Sequence, residues 1–246
     1  YEKTLVIANR YDGIDLPDDN CRILILDSKP YAQSLIDRMQ ESCRADSEII
    51  DVKTAQKIEQ GLGRGVRGEK DYCVILLTGD ELITLIKSRK LSRFFSSQTK
   101  KQIEIGIEVS KLAIESAETN NGIKTLLDVM KYCINREEGW KQYYISEMNS
   151  LVKSENPKNL LQILDLEKRA EKHYLQGDYD KAIDLTQQII DKFIDSHNNS
   201  ERGWYLQQIA RFSYKKSAIK SNELQIAAHK INRYLMKPEN GMVVKK

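Results

Sequence analysis

Over roughly the first 95 residues, short aliphatic runs alternate with polar runs that carry apolar residues at helical spacing. TLVIA (4–8), CRILILD (21–27) and YCVILLTG (72–79) each predict a strand. Their near-continuous Ile, Leu and Val predict parallel strands buried on both faces. Between them, YAQSLIDRMQESCR (31–44) places Leu35, Ile36 and Met39 at helical spacing behind a helix-starting Pro30. KTAQKIEQGLG (53–63) predicts a second helix. Strand and helix in alternation define an α/β layered domain.

The texture changes after about residue 95. Gly and Pro become rare, and helical periodicity predicts helices over 98–117, 122–134, 137–153, 158–176, 179–195, 201–218 and 222–236. Asn156-Pro157 and Gly177-Asp178 supply breaks. The pattern thus predicts two domains, 1–95 and 96–246, an α/β part followed by an all-α part. Within the second, AEKHYLQGDYDKAIDLTQQII (170–190) resembles one tetratricopeptide repeat, with Ala170, Gly177, Tyr179 and Ala182 at the matching offsets. Trp204 follows Ala170 by that family's period of about 34 residues, but the second copy lacks the Gly-x-Tyr turn. One repeat and a degenerate second predict a helical hairpin layer near 165–236 that could dock a protein partner.

Composition narrows the function classes. With 246 residues, 40% of them hydrophobic, the chain can bury a sizeable core in one domain or two. Thirty-nine basic residues against 36 acidic ones leave a net charge of +3, so any basic binding site must be local. Mean hydropathy is −0.55. No apolar run approaches the ~20 residues of a spanning helix, which predicts no membrane segment. No signal-peptide pattern opens the chain, and a cytoplasmic protein is expected. The first residue is Tyr1 and a strand-like run starts almost at once, so Tyr1 is expected to be internal to a longer protein. Cys21, Cys43, Cys73 and Cys133 form no C-x-x-C pair, and His173, His197 and His229 are equally scattered. Reduced thiols and no metal site are expected.

QGLGRGVR (60–67) is the most unusual stretch. Gly63, Gly65 and Gly68 spell G-x-G-x-x-G, but here a helix leads in and a strand leads out, the reverse of a dinucleotide site. The phosphate-loop motif also fails, because Gly68 is followed by Glu69-Lys70 and not by Lys-Ser/Thr. On a continued helix, Gln60, Arg64 and Arg67 would stand at i, i+4 and i+7, with Gly63 leaving room beside them. Two guanidiniums would then face solvent from one helix face near Asp15. Arginine supplies a planar fork that grips phosphate oxygens, although the spacing alone fits a solvated surface pair equally well.

Q-x-x-G-R-x-x-R resembles motif VI of the superfamily 2 helicases. ANRYDGIDLP (8–17) resembles their motif V, marked by Gly-Ile-Asp at a strand end. LILDSKPY and KDYCVILLTGDEL are most similar to the XPD/DinG-like branch, and the resemblance covers about residues 3–88. It implies the later half of a RecA-like motor domain and an ATP hydrolase that moves on nucleic acid. By position, Arg67 would be an arginine finger on the γ-phosphate with Arg64 beside it. Gln60, Gly13 and Asp15 would contact or position the nucleotide. Asn9, Arg10, Tyr11 and Asp12 would meet the backbone of a single strand, DNA favoured over RNA. The 246 residues contain no G-x-x-x-x-G-K-[ST] and no DEAH-like acidic box. The resemblance therefore implies that ATP and Mg²⁺ are held by an N-terminal motor domain, and that this chain alone is inactive.

Two further groups admit more than one reading. Arg89, Lys90 and Arg93 with Phe94-Phe95 combine charge and aromatics as single-strand channels do, or form a linker whose rings anchor the helical layer. Trp140, Tyr143 and Tyr144 on one helix fit core packing better than base stacking. The rival to a motor fragment is a non-catalytic helical interaction module with a degenerate RecA-like part.

Overall fold

The computed structural model describes residues 4–9, 11, 16, 21–65, 72–116, 122–151 and 158–237. Two strands, β1 (Ile23–Asp27) and β2 (Val74–Thr78), pair in parallel, with Ile23 opposite Val74 and Asp27 opposite Thr78. Eleven helices are seen among the described residues. In chain order the first helices are α1 (Leu35–Cys43), α2 (Glu48–Leu62), which runs into a 3₁₀ turn (Gly63–Gly65), α3 (Asp80–Lys87) and α4 (Arg89–Ser92). There follow α5 (Ser97–Glu115), α6 (Gly122–Ile134), α7 (Glu138–Asn149), α8 (Lys158–Leu175), α9 (Tyr179–Phe193), α10 (Asn199–Ser213) and α11 (Ala218–Ile231). The chain divides into two compact units, one of residues 1–31 and 51–155, the other of residues 32–50 and 156–246. This division differs from the single boundary at residue 95 that the sequence pattern suggests.

In the first unit, Leu26 and Leu77 point from the strands onto a core of Ala55, Ile58, Leu82, Ile86, Leu91 and Phe95. Alternation along β1 then puts Ile23 and Ile25 on the opposite face, 47% and 59% exposed. Burial on both faces, expected from the continuous apolar run, is not found for β1. TLVIA is not a strand either. Residues 4–7 have no ladder partner among the described residues, and Val6 is 88% exposed. Without the hydrogen bonds of a neighbouring strand, β-propensity alone does not make one. Helices α5, α6 and α7 pack on one another. Lys101 pairs with Glu147 at 2.6 Å, Gln102 donates to the Tyr144 hydroxyl at 2.8 Å, and the Trp140 and Tyr143 rings lie 5.8 Å apart. Trp140, Tyr143 and Tyr144 are half-buried, and no residue of α7 is fully buried. Phe95 is core to α2 and α3, while Phe94 lies under the Arg93 guanidinium at 4.5 Å.

In the second unit, α8 to α11 pack each on the next. Ala170 and Ala182 are 2% and 0% exposed, and the Tyr174 ring lies 5.8 Å from Tyr179 and 4.9 Å from Phe212. Helices α8 and α9 form an antiparallel-type turn at Gly177 (φ +81°), and the Asp178 carboxylate accepts from the Lys181 N–H to cap α9. Small residues let the helices approach and the rings fill what remains. Helix α1 belongs to this unit and starts four residues later than Pro30 suggested, because Ser34 takes the N-cap and accepts from the Asp37 N–H at 3.0 Å. Its Leu35, Ile36 and Met39 are exposed, and Cys43 and Arg44 are the buried end.

Arg44, only 4% exposed, is the polar centre of the second unit. Its Nε and Nη2 donate to the two oxygens of Glu201 at 2.7 and 2.8 Å, and Nη2 also donates to the Tyr205 hydroxyl at 2.9 Å. That hydroxyl donates on to Glu167 at 2.8 Å. Asn232 Nδ2 donates to the Cys43 carbonyl at 2.7 Å and to that of Ser200 at 3.1 Å, which ties the α1–α2 turn to α10 and the chain after α11.

Candidate functional site

The two strands end side by side, at the edge where open parallel sheets bind their ligands. Asp27 closes β1 with its carboxylate accepting from the Thr78 hydroxyl at 2.9 Å and from the Ser28 hydroxyl at 3.4 Å. Three positive-φ residues lie in the adjoining segments: Asn9 (+50°), Ser28 (+68°) and Gly79 (+84°). Such backbone is held only where the surroundings over-determine it. At Gly79 the reason is visible, since a Cβ there would lie 2.9 Å from the Ser28 nitrogen.

The segment resembling motif V is stapled to this edge. The Asn9 side-chain amide makes a two-way pair with Tyr31, donating to its carbonyl at 3.0 Å and accepting from its N–H at 3.2 Å. The Tyr11 hydroxyl donates to the Ser28 carbonyl at 2.8 Å. Burial, helped by the Asp27 charge, raises the Tyr11 phenol above its ordinary value, so it stays a donor across the neutral range. The Tyr11 ring lies against α2 at Gly61, where an added Cβ would stand 2.5 Å from the ring.

The segment resembling motif VI meets the same loop. Arg64 Nε and Nη2 both donate to the Tyr11 carbonyl, at 3.2 and 2.6 Å, and the Leu16 N–H donates to the Arg64 carbonyl at 3.4 Å. The expectation of one continuous helix face from Gln60 to Arg64 is corrected. Helix α2 stops at Leu62, where three glycines in five residues oppose its continuation, and Arg64 sits on the 3₁₀ turn. The Arg64 guanidinium does not face solvent as expected but grips main chain, because a half-buried fork needs acceptors. Gln60 is exposed on the last turn of α2, and the space beside Gly63 is open. Arg10, Asp12, Gly13, Asp15 and Arg67 lie outside the described residues.

The structure therefore joins Asn9, Tyr11 and Arg64 in one hydrogen-bonded edge, with Gln60 one turn away. Sequence reasoning passed over Asp27, Ser28, Gly61, Thr78 and Gly79. Asp27-Ser28 and Thr78-Gly79, each a polar residue closing an aliphatic run before a turn, were the available signal. Among the described residues no group of three or more His, Cys, Asp or Glu side chains is placed to hold a metal ion, and no helix is long and apolar enough to cross a membrane.

Residues 4–101 match the family model of the helicase C-terminal domain. No curated protein and no solved structure matches the chain. The matched stretch contains every residue of the edge just described, together with α1 to α4.

Proposed function

We propose that this chain carries the later half of the C-terminal, RecA-like motor domain of an ATP-dependent helicase or translocase of superfamily 2, nearest the XPD/DinG-like branch. The observation that supports the reading most is the Arg64–Tyr11 clamp. It joins the two segments that resemble motifs VI and V inside the stretch similar to helicase C-terminal domains. In this reading Arg67 is the finger for the γ-phosphate of ATP. Arg64 spends its fork on the loop and so sets where that finger stands. Gln60, Gly13 and Asp15 complete the nucleotide-facing edge. The loop at Asn9, Arg10, Tyr11 and Asp12 meets the backbone of a single strand, DNA favoured over RNA. Because Asn9 and Tyr11 commit their side chains to residues 28–31, they shape the loop, and main chain makes the contact. The lysine and acidic box that would hold ATP and Mg²⁺ are not among these 246 residues. A separate motor domain supplies them, in the cytoplasm.

The helical unit adds a place for a protein partner. A groove of about 470 Å³ runs past Gln40, Lys168, Trp204 and Gln208 beside the Arg44 network.

The test uses steady-state ATP hydrolysis with saturating single-stranded DNA in the protein that contains both motor domains. Arg67→Lys keeps the charge and loses the fork, and a finger contributes on the order of 10³–10⁵ in rate, so hydrolysis should nearly vanish while strand binding persists. Arg89→Ala, on α4 and outside the edge, should hydrolyse normally. Normal turnover by Arg67→Lys together with failure of Arg89→Ala would move the site to the α4 segment. Normal turnover by both would favour the non-catalytic interaction module. The 246-residue chain by itself should hydrolyse no ATP above a double Arg64/Arg67 variant.

A further inference from the structure

Three of the four cysteines belong to the first unit, and two of them meet at the N-terminal edge of the sheet, opposite the functional edge. Cys21 precedes β1 and Cys73 precedes β2, and their sulfurs lie 3.9 Å apart as free thiols, in hydrogen-bond range of each other. Each also donates to main chain, Cys21 to the Ile23 carbonyl at 3.5 Å and Cys73 to that of Val74 at 3.4 Å. Cys73 is half-buried, whereas Cys21 is 8% exposed. The backbones are already held by the parallel ladder, with Val74 N–H donating to the Arg22 carbonyl at 2.9 Å. Closing the gap to a bonded pair, which needs about 2.05 Å between sulfurs, therefore takes side-chain rotation and not strand movement.

We propose that Cys21 and Cys73 form a redox-modification site, in which a hydroperoxide converts the thiol pair into a disulfide that locks β1 to β2. The Cys73 thiolate attacks the outer oxygen of the peroxide. The O–O bond breaks, the alcohol or water leaves, and Cys73 becomes a sulfenic acid. The Cys21 sulfur then attacks the Cys73 sulfur. An S–S bond forms, the S–O bond breaks, and the departing hydroxide takes the Cys21 proton as water. Two electrons pass from the thiol pair to the peroxide, and a dithiol reductant reverses the change. The new bond closes a loop holding α1, α2 and the Arg64 turn, so oxidation restrains the segment that carries Gln60 and Arg64.

The local charges set the rate. Burial, together with the Cys21 and Cys133 sulfurs, pushes the Cys73 thiol up to about 12. Arg22 stacks on Tyr72 at 3.9 Å and Arg136 on the same ring at 4.9 Å, so both cations are engaged with that ring. The pair is therefore quiet at neutral pH, and its thiolate fraction rises about tenfold per pH unit up to that value. The experiment exposes the reduced full chain to hydrogen peroxide at pH 7 and pH 9, blocks free thiols with N-ethylmaleimide, and maps unreduced peptides by mass spectrometry. The expected product is a Cys21–Cys73 peptide pair two hydrogens lighter than its parts, forming on the order of a hundredfold faster at pH 9 and released by dithiothreitol, with Cys43 still alkylated. In Cys21→Ser the pair should be absent and Cys73 should advance to sulfinic acid. Sulfinic acid at Cys73 in the parent chain, a Cys73–Cys133 pair in place of Cys21–Cys73, or full alkylation of both thiols after peroxide at pH 9 would each overturn the proposal.

Discussion

Arg44 shows what a single side chain decides here. Burial alone would lower its guanidinium. The Glu201 hydrogen bonds, the Tyr205 dipole and the charges of Glu201 and Glu167 hold it above its ordinary value instead. The same surroundings keep Tyr205 protonated, since burial raises its phenol and Glu167 accepts its proton. Removing the cation leaves the Glu201 carboxylate, with a side chain 6% exposed, without a counter-charge. Arg44→Met should therefore cost about 3–5 kcal/mol, whereas the double variant Arg44→Met/Glu201→Leu should recover most of that loss. Urea unfolding followed by tryptophan fluorescence in a Trp140→Phe background, where Trp204 is the reporter, measures both, and a loss under about 1 kcal/mol in the single variant would show the pair to be dispensable.

At the scale of elements, the turn from β2 into α3 carries the candidate edge. Gly79 occupies φ +84° and approaches the Ser28 nitrogen so closely that a Cβ must displace it. Gly79→Ala should cost about 1–3 kcal/mol and, by moving Ser28, weaken the Tyr11 hydrogen bond. A lower urea midpoint with an unchanged m-value is the expected result, and an unchanged midpoint would mean that the turn relaxes freely. Much of the element map was legible. Each helix after residue 95 lies within a few residues of its apolar period, because 3.6-residue spacing and caps such as Ser96 and Asp178 act locally. Strand identity was legible only where a partner exists: CRILILD and YCVILLTG pair with each other, while TLVIA has none. The end of α2 falls within one residue of the predicted 63, but the expected continuation of its face to Arg64 fails, because the backbone turns 3₁₀ at the glycines. The partners of Arg64 were illegible for another reason. Its acceptor, a main-chain carbonyl 53 positions away, has no residue signature.

At the scale of the whole chain, the contact-defined units interleave. Residues 32–50 leave the sequence neighbourhood of β1 and complete a helical unit whose other part begins at residue 156. Without them Glu201 loses Arg44, Asn232 loses the Cys43 carbonyl, and the Cys43 thiol, raised by burial and donating to the Tyr234 carbonyl at 3.3 Å, leaves a gap. A buried carboxylate and a buried amide without partners are each costly. A piece spanning residues 156–246 should thus be helical by circular dichroism yet melt broadly and early. Adding a peptide of residues 32–50 should sharpen the transition and raise its midpoint, by an amount that grows with peptide concentration because the peptide binds only the folded form. A peptide carrying Arg44→Met should do so weakly or not at all. Cooperative melting of the 156–246 piece alone, indifferent to the peptide, would mean that the helical unit is complete without α1 and that the Arg44 network decorates a fold already stable.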